Sequence, residues 1–172
     1  MLEIPYPPIH VLAPLFLFFK AKNRIDPLAL VASATIIDLE PLYYLLLGDP
    51  LNHYIWHSYL FALVIFPPLV SLAIYFVERR FELKLSSAYD KLKLKPPQTR
   101  YSLSIIYLSC LIGGFSHMFL DMFTHQSLPY VMYPFFYGNP FYLGQARFAV
   151  EALAAGLAVY SVYCWWKMSK LD

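Results

Sequence analysis

Three polar side chains in the C-terminal half recur at a spacing that could hold a metal ion. His117, Asp121 and His125 follow one another at four-residue intervals inside an otherwise apolar run. On an α-helix, residues four apart lie on one face about one turn from each other, so these side chains can converge on one centre. Imidazole and carboxylate groups are the usual ligands of zinc and similar divalent metals, and a carboxylate can bridge two ions. The spacing therefore predicts half of a metal site.

The other ligands must come from earlier segments of the chain. His10 opens the first apolar run, Asp38 and Glu40 lie in the second, and His57 begins the third. We expect His10, Asp38 and His57 to reach the same membrane depth and complete the site. Asp38 or Glu40 is the candidate general base that takes a proton from metal-bound water. His53 lies in a predicted loop, and we expect it to be solvated.

Other interpretations of these residues stay open at this point. A single histidine in an apolar helix is commonly a hydrogen-bonded packing residue, and chains of Asp and His also relay protons in transporters. Arg147, at the start of the last apolar run, is a candidate phosphate ligand. It lies four residues before Glu151, a spacing that equally predicts an ion pair on the helix surface.

The composition indicates the elements that must position these groups. Of the 172 residues, 59% are hydrophobic and only 14% are charged, which is too little polar surface for a water-soluble globule. Four runs are long enough to cross a bilayer, and a shorter fifth run covers His10 to Phe19. The four runs are Pro27 to Leu47, Ile55 to Val77, Ser102 to Phe123 and Arg147 to Trp166. We predict an all-α, polytopic membrane bundle of four to five helices in a single domain, residues 1–172.

Local signals refine three of these helices. One helix is predicted from Pro27 to Leu47. Asp26 can cap its start and Pro27 suits its first turn, while Gly48, Asp49 and Pro50 provide a stop at its end. Two consecutive prolines in mid-span predict a kink in the third helix. Small residues in the last two helices predict close packing between those helices. The prolines are Pro67 and Pro68, and the small residues include Gly113, Gly114 and Gly156.

The basic residues predict the orientation. Twelve of the 13 Lys and Arg side chains fall in the loop around Lys20 to Arg24, in the loop 78–100 or at the C-terminus. By the positive-inside rule these segments are cytoplasmic, and Glu78 and Glu82 among them are expected to be solvated. The uncharged aromatic loop 124–144 then faces outward, with all five histidines on its side. We expect a multi-pass plasma-membrane protein whose partners are membrane lipids, and the low net charge of +2 argues against nucleic acid.

The ordered set of motifs resembles a known family. His10 in HVLAP, Asp38 in IIDLEP, His57 in WHSYL, and His117, Asp121 and His125 in GGFSHMFLDMFTH resemble the membrane-bound, metal-dependent hydrolase superfamily. That superfamily includes LexA-regulated inner-membrane proteins, and its pattern is similar to the ligand set of zinc-dependent phospholipase C. The resemblance implies one metal held by Asp38, His57, His117 and Asp121, and a second ion shared through Asp121 with His10. His125 would complete a further position or orient substrate.

These observations together predict a metal-dependent hydrolase of phosphoesters on lipid-linked or lipid-proximal substrates, acting at the extracytoplasmic face. The expected cofactor is one or two divalent ions, with zinc favoured. The alternative is a non-enzymatic membrane subunit or a proton-coupled transporter that uses the same His/Asp cluster. Stoichiometric metal in the purified protein separates the two.

Overall fold

The regular secondary structure is entirely helical in the part of the chain that the computed structural model describes, residues 7–48, 53–94 and 96–170. The predicted all-α class is therefore confirmed. A π-helical turn, Phe61–Ile65, precedes α4, and a 3₁₀ turn, Gly144–Ala146, precedes α7. The helices are α1 (Pro7–Lys20), α2 (Pro27–Ile36), α3 (Leu39–Leu46), α4 (Phe66–Arg80), α5 (Glu82–Lys91), α6 (Leu103–Thr124) and α7 (Arg147–Ser169).

Three of these segments are long and apolar enough to cross a membrane. They are Phe61–Arg80, Leu103–Thr124 and Gly144–Ser169. The pair α2 and α3 qualifies as a fourth span if the two helices are counted together, and α1 is an apolar but shorter helix. Many of the large apolar side chains on these helices are exposed, as lipid contact requires. The chain is therefore a multi-pass helical bundle.

The second span is bent, and the prediction of one continuous helix there is wrong. Asp26 does cap α2 by accepting from the amide of Leu28 at 2.9 Å. The helix breaks after Ile36, however, and α3 continues at an angle of 41°. The break falls at Asp38, and Pro41 in the first turn of α3 explains it, because proline has no N–H to donate to the carbonyl oxygen of Ile37. Gly48 ends the segment with φ of +81°, whereas Asp49 and Pro50 of the predicted stop lie outside the described residues.

The third span is irregular next to the prolines where the sequence predicted a kink, and the irregularity is a π-turn. Pro67 and Pro68 occupy the first turn of α4, directly after the π-turn. They cannot donate to the carbonyl groups of Leu63 and Val64, one turn earlier. The chain widens into a π-turn over those residues, a deformation that is typical of functional sites.

Helix α6 lies at the centre of the bundle and contacts α1, α2, α4 and α7. A Cβ atom at Gly113 would overlap the carbonyl oxygen of Leu30 on α2, and one at Gly114 would overlap the carbonyl oxygen of Ala62 in the π-turn. Gly156 on α7 has no neighbour within 4 Å of such an atom. The glycines of α6 thus bring α2 and the π-turn close to the helix, rather than α7 as the sequence predicted.

The basic loop 78–100 is more ordered than expected. It contains α5, which the sequence did not predict, and Arg100 pairs with Glu82. Glu78 is fully buried and accepts a hydrogen bond from the amide of Tyr101 at 2.8 Å, so the prediction that it is solvated is wrong. Its carboxylate fastens the start of the fourth span to the end of α4.

Candidate metal centre

Eight ionisable side chains meet inside one end of the bundle. They come from α1, the α2–α3 bend, the segment before the π-turn, and α6. Each of the five imidazoles is at most 8% exposed, which is costly for ionisable groups in a membrane protein and indicates function. We call this group the His/Asp cluster, and its members are His10, Asp38, Glu40, His53, His57, His117, Asp121 and His125.

Asp121 lies at the middle of the cluster. Its Oδ2 atom is 3.0 Å from His117 Nε2 and 3.8 Å from His57 Nε2. Its Oδ1 atom is 3.4 Å from His10 Nε2 and 3.6 Å from His125 Nδ1. One carboxylate thus faces four imidazoles from three segments, and the four-residue spacing along α6 brings the neighbours together as the sequence predicted.

Asp38 supplies a second carboxylate at the bend between α2 and α3. Its Oδ1 atom lies 3.5 Å from His117 Nε2 and 3.8 Å from His57 Nε2. Asp38 thus lies at the break in the second span, and its carboxylate faces His117 on α6.

Ligand-type atoms of the cluster fall into two groups of three. Within each group, one ligand atom per residue lies within 4.8 Å of the others. Small movements of these side chains would bring all three atoms to bonding distance of one ion. The groups are His10, Asp38 and His117, and His53, His57 and Asp121. Because Asp121 also faces His10 and His117, it lies between the two groups.

The buried atoms of the cluster fit a bound cation. Among the described residues, Nε2 of His57, Nε2 of His117, Oδ2 of Asp38 and Oδ1 of Asp121 are buried without a hydrogen-bond partner. Each such atom would cost about 1–3 kcal/mol if it stayed unsatisfied. Nitrogen and carboxylate oxygen at one centre are the donor set that zinc takes in proteins, so the residues present fit a divalent metal.

Glu40 lies behind His57 and holds that ring in place. Its Oε2 atom is 2.9 Å from His57 Nδ1 and accepts from the amide of Tyr54, while Oε1 accepts from the amide of Trp56. A carboxylate on one ring nitrogen fixes the tautomer and leaves the other, Nε2, directed at Asp38 and Asp121. Glu40 therefore orients a candidate ligand, and Asp38 is the acid with an oxygen still unpaired.

The charge balance at His57 also favours a cation. Burial disfavours a charged imidazole, but the neighbouring carboxylates of Asp38, Glu40 and Asp121 outweigh it and raise the pKa of His57 to about 9. The carboxylates around this ring therefore favour positive charge at its position. A bound metal ion would supply that charge in place of the proton.

Comparison with protein families gives one match. The profile of a domain of unknown function, DUF4184, covers residues 4–164. The chain belongs to the DUF4184 family. No curated protein and no solved structure matches it. The whole His/Asp cluster lies inside the matched range.

His53 of this DUF4184 domain belongs to the cluster, and the prediction that it is solvated is wrong. It is 5% exposed, and its ring centroid lies 4.3 Å from that of His57 and 5.0 Å from that of His125. Burial and the neighbouring His57 lower the pKa of His53 to about 3, so its ring is neutral and able to bind metal at pH 7. Residues 53–58 are not helical, so the spacing between His53 and His57 gave no signal that the two rings meet.

An open pocket of about 450 Å³ with a mixed polar and apolar wall adjoins the cluster in the DUF4184 domain, and His53 forms part of that wall. The rest of the wall comes from Tyr54, from residues 126–130 of the aromatic loop, and from Gly138 and Asn139. Asn139 also donates to the carbonyl oxygens of Met122 and His125, which fixes the loop to the end of α6. A polar ligand in this pocket would lie next to the cluster.

Arg147 takes part in the ion pair that the sequence left open. Its Nε atom lies 3.9 Å from Glu151 Oε1, and its Nη1 atom donates to the hydroxyl of Tyr142 at 3.4 Å. These contacts place the guanidinium at the start of α7, beside the end of the aromatic loop. Its contact with phosphate stays a prediction.

Proposed function

We propose that this DUF4184 domain is a membrane-embedded, metal-dependent hydrolase of phosphoesters on lipid-linked or lipid-proximal substrates. The observation that carries the proposal is the buried convergence of five imidazoles and two carboxylates. Ligand-type atoms of His57, His117, Asp38 and Asp121 among them lack a hydrogen-bond partner. The choice of phosphoesters rests on the resemblance to the metal-dependent hydrolase superfamily and to zinc phospholipase C, which is an analogy of pattern.

The two groups of three define two metal positions in this proposal. His10, Asp38 and His117 hold one ion, with zinc favoured, and His53, His57 and Asp121 hold the other. Bound ions of this kind lower the pKa of a bound water to near 7 and polarise a phosphoryl oxygen. His125, on the far side of Asp121, completes a ligand position or contacts the substrate.

The protein side chains divide the remaining tasks. Asp38, with Oδ2 unpaired and 13% of its side chain exposed, takes a proton from the attacking water. Glu40 acts through His57 and is a positioning residue. Arg147, whose planar guanidinium suits phosphate oxygens, binds the substrate phosphate from the start of α7.

The site faces the extracytoplasmic side of the plasma membrane in this proposal. The positive-inside rule assigns the basic loop 78–100 and the C-terminus to the cytoplasm. The His/Asp cluster and the aromatic loop lie at the opposite end of α6 from that basic loop. A substrate would then enter from the outer leaflet.

The test combines metal analysis with hydrolysis. The detergent-purified protein is analysed for zinc by mass spectrometry and assayed with p-nitrophenyl phosphate and bis-p-nitrophenyl phosphate. His117→Ala should lose both metal and hydrolysis, whereas Asp90→Asn, an acid exposed on α5, should keep both. A His117→Ala protein with full metal content would refute the site. A metal-free wild type whose assembly or pH response depends on His117 would favour the proton-coupled or non-enzymatic alternative.

A further inference from the structure

An apolar groove of about 420 Å³ runs between α1, α6 and α7, a volume that is typical of ligand sites. Thirteen residues line it, and Ser116 is the one polar member among them. The Ser116 hydroxyl donates to the carbonyl oxygen of Gly113, so it is already satisfied within the helix. Phe119 and Leu153 at the groove are 40% and 62% exposed, which places the groove against the lipid.

The groove lies beside the His/Asp cluster along α1 and α6, although no residue of the cluster lines it. On α1, Ala13 and Pro14 line the groove and lie one turn after His10. On α6, Ser116 and Leu120 directly precede the cluster residues His117 and Asp121. The same two helices therefore carry the candidate metal ligands and the groove wall.

The length of the groove matches one leaflet of a bilayer. Its wall on α6 extends to Leu111, ten residues before Asp121. At a rise of about 1.5 Å per residue this is roughly 15 Å, and half of a hydrocarbon core is also about 15 Å. An occupant therefore lies along the bundle from the depth of the cluster to the middle of the membrane.

We propose that this groove holds an acyl chain of the phospholipid substrate and so sets the phosphoester beside the His/Asp cluster. The occupant is hydrocarbon because the groove offers no free polar group among the described residues. An extended polypeptide there would leave its backbone amides unpaired in the lipid. In the reaction, which rests on the proposed function, a water oxygen bonds to phosphorus, the phosphorus–oxygen bond to the lipid breaks, and the leaving oxygen takes a proton.

The first arm of the test measures lipid binding alone. The full chain is reconstituted with dioleoyl phosphatidic acid in phosphatidylcholine vesicles, extracted in mild detergent and weighed by native mass spectrometry. Wild type should retain one phosphatidic acid, and Leu157→Trp, which fills the groove from α7, should retain about tenfold less. The control Leu108→Trp lies on α6 outside the groove and should behave as wild type. If Leu157→Trp does not fold, the test is repeated with Leu153→Trp, which narrows the same groove from an exposed position on α7.

The second arm compares hydrolysis of dioleoyl phosphatidic acid in vesicles with that of soluble dibutyryl phosphatidic acid. Filling the groove should lower kcat/KM for the long-chain lipid by about tenfold and leave the short-chain rate unchanged. Equal lipid retention in wild type and both groove variants would overturn the groove proposal, and so would equal loss on both substrates. Retention that depends on the groove without any hydrolysis by wild type would support the groove and refute the proposed function.

Discussion

Replacing Glu40 by glutamine separates the orientation of His57 from metal ligation itself. The carboxylate is 3% exposed and receives three N–H groups, from the amides of Tyr54 and Trp56 and from His57 Nδ1, each at 2.9 Å. Glutamine keeps one acceptor oxygen and puts an NH₂ group where the other oxygen was. Whichever way the amide turns, at least one of the three donors faces the NH₂ group and loses its partner.

The expected effects follow from that lost hydrogen bond. A buried donor left unpaired costs about 1–3 kcal/mol, so Glu40→Gln should lower the free energy of unfolding by at least about that amount. Without a carboxylate on Nδ1, the tautomer and orientation of His57 are no longer fixed. Loss of such a partner typically weakens metal affinity by about 10–100-fold.

The assay measures both quantities on the same protein. Zinc affinity is obtained by competition with a chromophoric chelator in detergent, and the unfolding midpoint is followed by intrinsic fluorescence with and without zinc. The matched control is Glu82→Gln, since Glu82 is partly exposed and pairs with Arg100 on the predicted cytoplasmic side. Wild-type zinc affinity together with a wild-type unfolding midpoint in Glu40→Gln would refute the orienting role.

Three further substitutions test other parts of the account. Gly114→Ala places a Cβ against the carbonyl oxygen of Ala62, and this overpacking should destabilise the protein by about 1–3 kcal/mol and lower its unfolding midpoint. The control Gly156→Ala should leave the midpoint unchanged. A Gly114→Ala protein with the wild-type midpoint would contradict this. Burial raises the pKa of Asp26 from 3.8 to about 6, so the folded state holds this proton more tightly than the unfolded state does. Wild-type stability should therefore fall by on the order of 2–3 kcal/mol as pH rises from 4 to 6, and Asp26→Asn should lack that part of the slope in fluorescence-monitored unfolding. His53→Gln should release one of two bound ions in elemental analysis, and unchanged metal content would remove His53 from the site.

Short-range signals in the sequence were sufficient for much of the fold. The run of apolar residues from Leu103 to Thr124 and the cap formed by Asp26 depend on neighbouring residues only, and both are present in the structure. The spacing of His117 and Asp121 likewise determines that they share one face of α6. These features could be predicted because helix period and capping are local properties.

Features that depend on distant contacts could not be predicted in the same way. The bend at Asp38 had a local signal in Pro41, which has no N–H to donate to the carbonyl oxygen of Ile37. The contacts from Asp38 to His57 and His117, by contrast, join residues far apart in the chain. Glu78 has basic neighbours in sequence, yet its carboxylate is buried against Tyr101, 23 residues away. His53 lies outside the helices, and its burial depends on the aromatic loop and on His125 at the end of α6, which are distant in sequence.

The metal content of the purified protein tests the central claim most directly. Wild type and the control Asp90→Asn should contain at least one equivalent of zinc per chain after purification without chelators, and Asp121→Asn should contain almost none because Asp121 faces four of the five imidazoles. All three proteins should elute as single species in size-exclusion chromatography. A well-folded wild type that neither contains nor takes up a divalent metal, or an Asp121→Asn protein with full metal content, would contradict the account.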